Sequence, residues 1–514
     1  MLKKVYDSIV IGAGHNGLTA AAYLAKAGKK VLVLEKRHVI GGAAVTEEIV
    51  PGFRFSRASY LLSLLRPVVI EELKLKKHGL RYHIRNPNSF TPSRFGGDGL
   101  LLGTDMVQNQ KEISKFSKID AERYPEYEKF ISQMVTALEP LMDYEPLDVH
   151  GSRRQILAQL YLLYKTIKPM GLSNAVDFYE LMTSPISKLM DKWFDSDILK
   201  ATLGTDGVIG FAASPYDAGT GYVLLHHVLG GLDGNQGAWG YVFGGMGAVS
   251  EAIASAGRSY GAQILTEKPV KSILLDGNVA KGVVLEDGSE ILAKTVLSSA
   301  TPDVTFNKFL PGNSLPSQFR TAINSIDYTS PVTKINVAVR ELPNFTSRPN
   351  IGLEPMPHHQ TTIHMNCENM RIVHDATQDY RSGIPSRRPV IEMTIPSSVD
   401  RSIVDGDGHV VLLFTQYTPY GYGWSEENKK AYVQNGYECL TPPDLENIFG
   451  LTGGNIFHGS MSLDQLYFTR PTARHSNYQT PIDNLYLCGS GTHPGGGVSG
   501  APGRLSALKV LKSI

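Results

Sequence analysis

The start of the chain alternates between short apolar runs and a stretch of strong helix formers. Residues 8–11 (Ser-Ile-Val-Ile) and 31–34 (Val-Leu-Val-Leu) have the composition of parallel strands that are buried on both faces. Between them, residues 18–27 are rich in Ala and Leu, which predicts a helix, and Gly28 ends it. The pattern therefore predicts a β-α-β unit and the beginning of a parallel sheet.

The turn between the first predicted strand and the helix is rich in glycine. Its sequence is Gly12-Ala-Gly14-His15-Asn16-Gly17. In such a loop the first glycine permits a tight turn, the second lets the backbone approach a pyrophosphate, and the third lets helix and strand pack closely. The helix N-terminus offers unpaired N–H groups to the phosphates. Glu35, which ends the second strand, can accept hydrogen bonds from both adenosine ribose hydroxyls and disfavours NADP, so the unit predicts a dinucleotide site.

A glycine doublet follows the acidic residue and distinguishes FAD from NAD. Gly41 and Gly42 come shortly after Glu35, a spacing typical of FAD-binding proteins, in which the doublet brings a second loop against the dinucleotide. In the common form an arginine follows the doublet, but here Ala43 and Ala44 stand there, so no guanidinium can contact phosphate at that point. We therefore predict FAD, with further contacts from Lys36, Gly41, Gly42 and Ala43.

A second part of the chain has the pattern of a helix followed by several short strands. Residues 244–256 lead from a glycine turn into a predicted helix, and residues 263–270 are a predicted strand. Two Asp-Gly turn signals separate the next predicted strands, which are residues 273–275, 279–285 and 290–293. These strands form a β-meander, after which residues 296–299 return to the main sheet.

The same segment imitates a second dinucleotide site. Gly245 and Gly247, with Glu267 on a following strand, resemble the start of an NAD(P)H motif, but Ser250 stands where the third glycine would be. We therefore expect no second nucleotide site, and flavin electrons then pass to dioxygen, a quinone or another acceptor.

Composition excludes several classes of function. The chain has 514 residues, of which 42% are hydrophobic, and 50 Lys and Arg oppose 49 Asp and Glu, so nothing favours nucleic acid or a strongly charged substrate. Its length predicts two or three domains. The three cysteines form no Cys-x-x-Cys pair, which argues against disulfide reduction. We find no secretory signal, no Arg-rich transit peptide and no apolar run long enough to span a bilayer.

Seven segments spread over the chain resemble the phytoene desaturase-like flavoproteins. They are VIGAGHNGLTAAAYL, KRHVIGGAAVTEE, PGFRFSRASYLLSLLRP, HHVLGGLDGNQGAWGYV, SPVTKINVAV, MSLDQLYFTRP and CGSGTHPGGGVSG. The resemblance covers practically the whole chain and implies an FAD-dependent oxidoreductase of the α/β class. Its Rossmann-type FAD-binding domain, a parallel sheet plus a β-meander, carries a discontinuous α+β substrate domain. For animal members the resemblance also implies the mitochondrial matrix, and the cytoplasm is the alternative location.

The resemblance divides the chain into interleaved segments. Residues 1–75, 244–310 and 465–514 are assigned to the FAD-binding domain, and residues 76–243 and 311–464 to the substrate domain. Residues 105–200 of the latter are helix-like, whereas residues 311–464 mix strands with proline-rich loops.

The glycine-rich C-terminal segment is interpreted as the second half of the FAD site. Residues 485–488 predict a strand, and the turn at Gly489 and Gly491 would approach the pyrophosphate and ribityl chain. Residues 495–498, with Gly497 and Val498, would open the last helix toward the pyrimidine edge of the flavin. In the related fold the backbone at Val270 meets the adenine. The FAD is expected to be extended and non-covalently bound.

The candidates for chemistry beyond FAD binding are few. His493 lies between the two C-terminal glycine turns and either acts as a base beside the flavin or fixes the turn by hydrogen-bonding the backbone. Four residues either line a substrate cavity or pack: Tyr222, His226, His227 and Trp239. No carboxylate is evident as a substitute base. His358, His364 and Cys367 suggest zinc, but His364 and Cys367 point to opposite faces of a predicted strand, which argues against a metal.

Two further expectations concern local structure. Residues 60–65 and 156–164 are apolar and are interpreted as buried helix, with membrane contact as the alternative. A helix-like stretch beginning at Tyr437 runs directly into Thr-Pro-Pro, and relatives carry a connecting segment there. Either this protein lacks that segment or the chain is interrupted there, and we expect an interruption between Cys439 and Leu440.

Three functions are consistent with these patterns. The leading one is an FAD-dependent dehydrogenase, desaturase or oxidase that acts on a small, largely apolar organic substrate. The second is a flavoprotein whose FAD is structural and which regulates or assembles protein partners. The third is an amine or amino-acid oxidase. No nucleic-acid partner is expected, whereas peripheral membrane contact, protein partners and the oligomeric state stay open.

Overall fold

The computed structural model describes residues 5–94, 96–168, 171–432 and 438–513. Its strands are β1 (Val5–Ile11), β2 (Val31–Leu34), β3 (Thr46–Val50), β4 (Phe53–Ser56), β5 (Tyr82–Ile84), β6 (Ser89–Thr91), β7 (Leu100–Leu102), β8 (Gly231–Leu232), β9 (Asn235–Gln236), β10 (Gly240–Val242), β11 (Gln263–Leu265), β12 (Val270–Asp276), β13 (Val279–Leu285), β14 (Glu290–Ser298), β15 (Val332–Val339), β16 (Thr362–Met365), β17 (Val390–Thr394), β18 (His409–Gln416), β19 (Glu438–Leu440) and β20 (Leu485–Leu487). Its α-helices are α1 (His15–Lys26), α2 (Pro67–Glu72), α3 (Met106–Ser114), α4 (Lys118–Leu138), α5 (Arg153–Ile167), α6 (Gly171–Thr183), α7 (Ile186–Trp193), α8 (Asp197–Gly204), α9 (Thr220–Val228), α10 (Gly247–Ser259), α11 (Ser317–Asn324), α12 (Met370–Arg381), α13 (Glu426–Tyr432), α14 (Pro442–Phe449) and α15 (Ala501–Leu511).

The first large sheet contains the predicted nucleotide-binding unit. Its strand order is β11-β2-β1-β14-β13-β12, and β20 pairs with β14. The pairs β11–β2, β2–β1, β1–β14 and β14–β20 are parallel, whereas β12, β13 and β14 form the antiparallel meander. One buried apolar cluster joins this sheet to α1 and α10, and a second joins it to α11. The predicted α/β class with a parallel sheet and a meander is confirmed.

Two strand predictions need correction. Residues 263–270 are not one strand, because β11 ends at Leu265 and the chain turns at Glu267, whose φ is 55°, before β12 begins at Val270. Conversely, the last meander strand and the returning strand are a single element, β14. Its first residues pair with β13, and from Leu292 onward it pairs with β1, so one strand serves both parts of the sheet.

The second large sheet has the order β19-β15-β18-β17-β16-β6-β7. All its neighbours are antiparallel except β16 and β6. Helices α3, α4, α7, α8 and α9 share a separate apolar cluster. The helical and mixed composition expected for residues 105–200 and 311–464 is confirmed, whereas the proposed domain boundaries stay predictions.

The two apolar segments are not buried helices. Residues 60–65 are extended, with Leu62 and Leu65 buried and the Leu62 N–H donating to the Gly240 carbonyl at 3.0 Å. Residues 156–164 are helical within α5, but no residue of α5 is buried, and Leu157 is 66% exposed. Helix α5 packs beside α4, yet several of its apolar side chains are exposed, among them Leu157, Leu160 and Tyr161. No helix in the described part of the chain is long and apolar enough to cross a membrane.

The expected interruption between Cys439 and Leu440 is wrong. Both residues belong to β19, where Cys439 is opposite Ile335 and Leu440 is opposite Lys334 of β15. The segment that leads into the Thr-Pro-Pro turn is thus a strand paired with β15, not the helix that the sequence pattern suggested. Tyr437, at the start of the predicted helix-like stretch, lies outside the described residues.

Candidate FAD site and substrate cavity

The N-terminal glycine loop has the geometry that close packing requires. Gly12 adopts a φ of 91°, which permits the turn from β1 toward α1. A side chain on Gly17 would overlap the Gly12 carbonyl oxygen and would lie 3.2 Å from Ser299 Cβ. The loop is therefore closed against β14 and begins helix α1 at His15.

The predicted acid lies against this loop. Glu35 is buried, its Oε2 accepts a hydrogen bond from the Ala13 N–H at 2.8 Å, and its Oε1 accepts one from the Arg37 N–H at 3.0 Å. The Lys268 N–H donates to the Glu35 carbonyl at 2.8 Å, which places the segment leading to Val270 beside the acid. Ribose and adenine contacts are thus predicted on neighbouring segments.

The glycine doublet packs onto the first loop. The Gly41 N–H donates to the Ala13 carbonyl at 2.8 Å, and a side chain on Gly42 would lie 3.2 Å from Gly14 Cα. Both glycines have positive φ, 115° for Gly41 and 57° for Gly42. Burial lowers the pKa of the neighbouring Lys36. The doublet therefore forms a second loop against the first, as expected.

The C-terminal glycine segment joins the same site. A ring nitrogen of His15 hydrogen-bonds the Gly497 carbonyl at 3.1 Å, and Asn16 Nδ2 donates to Ser490 Oγ at 3.0 Å. The interpretation of this segment as the second half of one site thus agrees with the geometry. The predicted start of the last helix, at residues 495–498, is too early in the chain. Helix α15 begins at Ala501, after Gly500, whose φ of 70° is not helical.

Several polar atoms at this junction are left available to a cofactor. Among the described residues, Asn16 Oδ1 and His458 Nδ1 are buried and have no hydrogen-bond partner. Five residues from the three glycine segments line the adjoining cavity: His15, Ala43, Ser490, Gly497 and Val498. The donors, acceptors and glycine turns present fit a dinucleotide with a flavin at the cavity end.

The cavity has a volume of about 680 Å³ and two chemically different regions. Beyond the glycine segments it passes apolar side chains of the helical layer and of residues 60–65. These include Leu61, Leu64, Tyr124, Tyr127, Ile131, Val135 and Leu224. At the second sheet it becomes polar. This size and mixture are typical of sites for small organic molecules.

The polar region is built by one face of the second sheet. Glu392 is opposite His364 on one side and Phe414 on the other, and Phe414 is opposite Lys334. All four line the cavity. Residues that lie opposite each other on neighbouring strands point to the same face of a sheet. The four strands therefore present one row of side chains to the cavity. The sequence analysis missed this row, since its members are far apart in the chain and the polar residues lie within otherwise apolar strands.

Carboxyl groups lie in this region, contrary to the expectation that none was positioned as a base. Tyr60 Oη donates to Glu392 Oε2 at 2.5 Å, and His364 Nδ1 lies 3.7 Å from Glu392 Oε1. Burial raises the pKa of Glu392 to about 7, and the nearby charge of Asp206 adds to the rise. Burial likewise raises the pKa of Asp206 to about 7 and lowers that of Lys334 to about 7. Such values near neutrality are typical of groups that exchange protons.

His493 is placed away from the cavity. It is buried, a ring nitrogen donates to the Leu141 carbonyl at 2.8 Å, and its ring meets that of Tyr467 edge-on at 5.2 Å. Burial lowers the pKa of His493 to about 4, so the ring is neutral. It is not among the residues that line the cavity. The geometry favours the structural alternative, and a catalytic role for His493 stays a prediction.

The remaining candidates separate into two groups. Trp239, His226 and His227 line the cavity, whereas Tyr222 is not among its lining residues. His364 faces Glu392, and Cys367 is buried in a different apolar cluster. Among the described residues, no group of three or more His, Cys, Asp or Glu side chains is arranged to hold a metal ion.

The glycine segment that resembles a second nucleotide site packs against β3. The Gly247 N–H donates to Thr46 Oγ1 at 2.9 Å, and a side chain on Gly247 would lie 2.6 Å from the Thr46 backbone nitrogen. These glycines allow α10 to approach β3 closely.

The fold and the glycine-lined site are those of a flavin-dependent oxidoreductase. Residues 17–503 match the family model described as flavin containing amine oxidoreductase. The chain belongs to this family and is an FAD-dependent oxidoreductase.

Individual proteins are similar over nearly the full chain. Pyridine nucleotide-disulfide oxidoreductase domain-containing protein 2 of Rattus norvegicus is 52% identical, over 100% of this chain and 94% of its own length. A phytoene desaturase of Fusarium fujikuroi is 27% identical over 98% of this chain and 89% of its own length. The crystal structure of an oxidoreductase from Methanosarcina mazei superposes with a TM-score of 0.57 at 16% identity, covering 98% of this chain and 99% of that one. The resemblance stated from the sequence is confirmed.

The role predicted for Glu35 can be tested by substitution. Glu35→Ala is expected to weaken FAD binding by about 1.5–3 kcal/mol, because it removes charged hydrogen-bond acceptors for the ribose and leaves the Ala13 N–H without its acceptor. FAD occupancy after extended dialysis, read from the ratio of flavin to protein absorbance, measures the effect. The exposed Glu286→Ala serves as the control. Full occupancy in Glu35→Ala would show that the ribose lies elsewhere.

Proposed function

We propose that this FAD-dependent oxidoreductase removes a hydride from a C–H bond of a small, largely apolar organic molecule. The observation that carries the proposal is the cavity of about 680 Å³ that runs from the glycine segments along apolar side chains of α4 and α9. A cavity with such walls excludes water and favours apolar surface. The similarity to a protein named phytoene desaturase supports the same substrate class.

The residues assigned to FAD follow from the packing of the three glycine segments. The loop of Gly12, Gly14 and Gly17 would hold the pyrophosphate with the help of Gly489 and Gly491, and Glu35 would hold the ribose. His15, Ala43, Gly497 and Val498 would flank the flavin, since they line the cavity end nearest this loop. When bound, FAD supplies a two-electron acceptor. The apolar walls then hold the reacting carbon and keep water away from it.

A proton lost with the hydride needs an acceptor near the cavity. Glu392 has Tyr60 as a hydrogen-bond donor, and Tyr60 directly follows Ser59, whose N–H donates to the Ala43 carbonyl at 3.0 Å. Tyr60 and the adjacent Ser59 therefore link the Glu392 carboxyl group to Ala43, in the segment assigned to the flavin. With its pKa raised to about 7 by burial, Glu392 can accept a proton at neutral pH.

The test is anaerobic reduction of the bound flavin by a substrate panel. Polyenes, aliphatic alcohols, acyl compounds and amines are each mixed with the oxidised enzyme, and loss of the flavin absorbance band is followed. We expect bleaching by a largely apolar member of the panel. Bleaching by amines alone would favour the amine oxidase alternative. Bleaching by no member, with a stable protein partner recovered by pull-down, would favour the structural-FAD alternative.

We also propose that the protein works in the mitochondrial matrix. The support is the sequence resemblance to animal members of the group, together with the 52% identity to the rat relative. Fractionation of cells that express the full chain with a C-terminal tag tests the proposal. Recovery with matrix enzymes is expected, and recovery only in the cytosol would contradict it.

A further inference from the structure

One carboxyl group on the cavity wall has no hydrogen-bond partner among the described residues. Asp206 lies in the turn that follows α8, is only partly exposed, and lines the cavity. Among the described residues nothing hydrogen-bonds its carboxyl oxygens, and Arg85 acts on it only through its charge. A carboxyl group on a cavity wall whose oxygens no protein group engages is free to accept hydrogen bonds from a ligand in the cavity.

Two further acceptors face the same region. His227 Nδ1 donates to the backbone carbonyls of Asp206 at 2.8 Å and Val223 at 3.0 Å. The other ring nitrogen is then an acceptor, since burial lowers the pKa of His227 and keeps the ring neutral. Glu392 interacts electrostatically with both Asp206 and His227, and all three residues line the cavity. When the two carboxyl groups are ionised, all three groups accept hydrogen bonds, so a ligand group that donates is favoured.

The charges in this region favour an uncharged donor. Arg85 already supplies a buried positive charge close to Asp206 and Glu392, and its Nη1 donates to Thr362 Oγ1 at 2.8 Å. A carboxylate ligand would meet two carboxyl groups of the same sign. An ammonium ligand would add a second buried cation and would require both carboxyl groups to be ionised. A hydroxyl group donates a hydrogen bond without either cost.

The opposite wall limits the rest of the ligand. Tyr127, Ile131 and Val135 of α4 and Leu224 of α9 line the cavity, together with the polar Glu128 and Ser132 of α4. The apolar side chains of this wall fit an aliphatic or isoprenoid body. One end of the cavity thus offers hydrogen-bond acceptors, and the other end is largely apolar.

We infer that the substrate is an amphiphile: an apolar chain lies along α4, and a hydroxyl group at its end donates a hydrogen bond to Asp206, beside His227 and Glu392. This inference rests on the proposed function for the redox step and specifies its substrate. Asp206 is then a specificity-determining residue, which holds one end of the substrate and selects against hydrocarbons that lack a donor.

The experiment compares two isomers that differ only in the hydrogen-bond donor. Dissociation constants of 1-octanol and 1-methoxyheptane for the oxidised, FAD-bound enzyme are measured by flavin difference spectra and by thermal shift. We expect 1-octanol to bind at least 10-fold more tightly. Asp206→Leu should reduce this preference to less than 3-fold, and Asp206→Asn, which keeps the size and one acceptor, should give an intermediate value. The exposed Asp407→Leu should keep the full preference.

Each other outcome overturns the inference. Equal binding of the two isomers, or no binding of either, shows that no donor is recognised, and this result needs no variant. Tighter binding of octylamine or octanoate than of 1-octanol shows that a charged group is preferred. An unchanged preference in the folded Asp206 variants places the subsite elsewhere. Because the readout is binding to oxidised enzyme, it is independent of flavin bleaching, so failure of the subsite and failure of the proposed oxidation are distinguished.

Discussion

Replacing Gly17 with valine is expected to leave the protein without bound FAD. A β-carbon at this position overlaps the Gly12 carbonyl oxygen and lies 3.2 Å from both Ser299 Cβ and Oγ. The Gly12 carbonyl belongs to the backbone, and Ser299 directly follows β14. Neither group can move away without opening the loop. The N–H groups at the start of α1 would then no longer converge on the pyrophosphate. Occupancy should fall from near stoichiometric to undetectable.

The measurement is the ratio of flavin to protein absorbance after purification, with circular dichroism to verify helix content. Gly312→Ala is the matched control, because nothing lies within 4 Å of a side chain built there and its φ is not positive. A Gly17→Val protein that retains FAD would show that α1 and β1 can separate at no cost, contrary to the packing described above.

The second large effect is expected for Arg470→Met. Arg470 is almost completely buried, and its guanidinium donates to the backbone carbonyls of Phe457, Gly459, Ser460, Gln465 and Ser490. Burial lowers its pKa to about 10, so the group stays charged at neutral pH. Methionine would leave these carbonyls without a donor, which costs on the order of 3–5 kcal/mol in total. Ser490 also accepts from Asn16, so FAD retention should fall as well.

Thermal unfolding of the holoenzyme with fluorescence detection tests this expectation. The exposed Arg340→Met should unfold like the wild type. Arg470→Lys should be intermediate, since an ammonium keeps the charge but offers three donors where the guanidinium offers five. If Arg470→Met unfolds at the wild-type temperature with full flavin content, the carbonyls must be satisfied by water and the guanidinium is dispensable.

Local physics made the nucleotide-binding half of the protein predictable. The first strand, the glycine loop, α1, β2 and Glu35 lie within about one β-α-β unit, in which each residue type has a local reason. The doublet at Gly41 and Gly42 and the meander between the two Asp-Gly turns are equally local. Such features can be read from the order of residues because their partners are close in the chain.

Errors arose where a segment's partner is distant. The continuity of β14 depends on pairing with β1, more than half the chain length away, and β19 exists because β15 offers it a free edge. Helix α5 looks like a core helix by composition, yet none of its residues is buried. In each case the local pattern permitted two structures, and long-range packing selected one.

The sequence by itself determined the flavin-binding class, the glycine segments that form its site and the absence of a dithiol. These follow from short motifs whose chemistry requires particular residues at particular spacings. Only the tertiary structure decided which side chains line the cavity beyond the glycine segments. Lys334, His364 and Glu392 come from three strands whose register puts them on one wall, and Asp206 reaches it from a helical layer. That wall is a product of strand order and register, which depend on the packing of the whole chain and leave no local signature in any one strand.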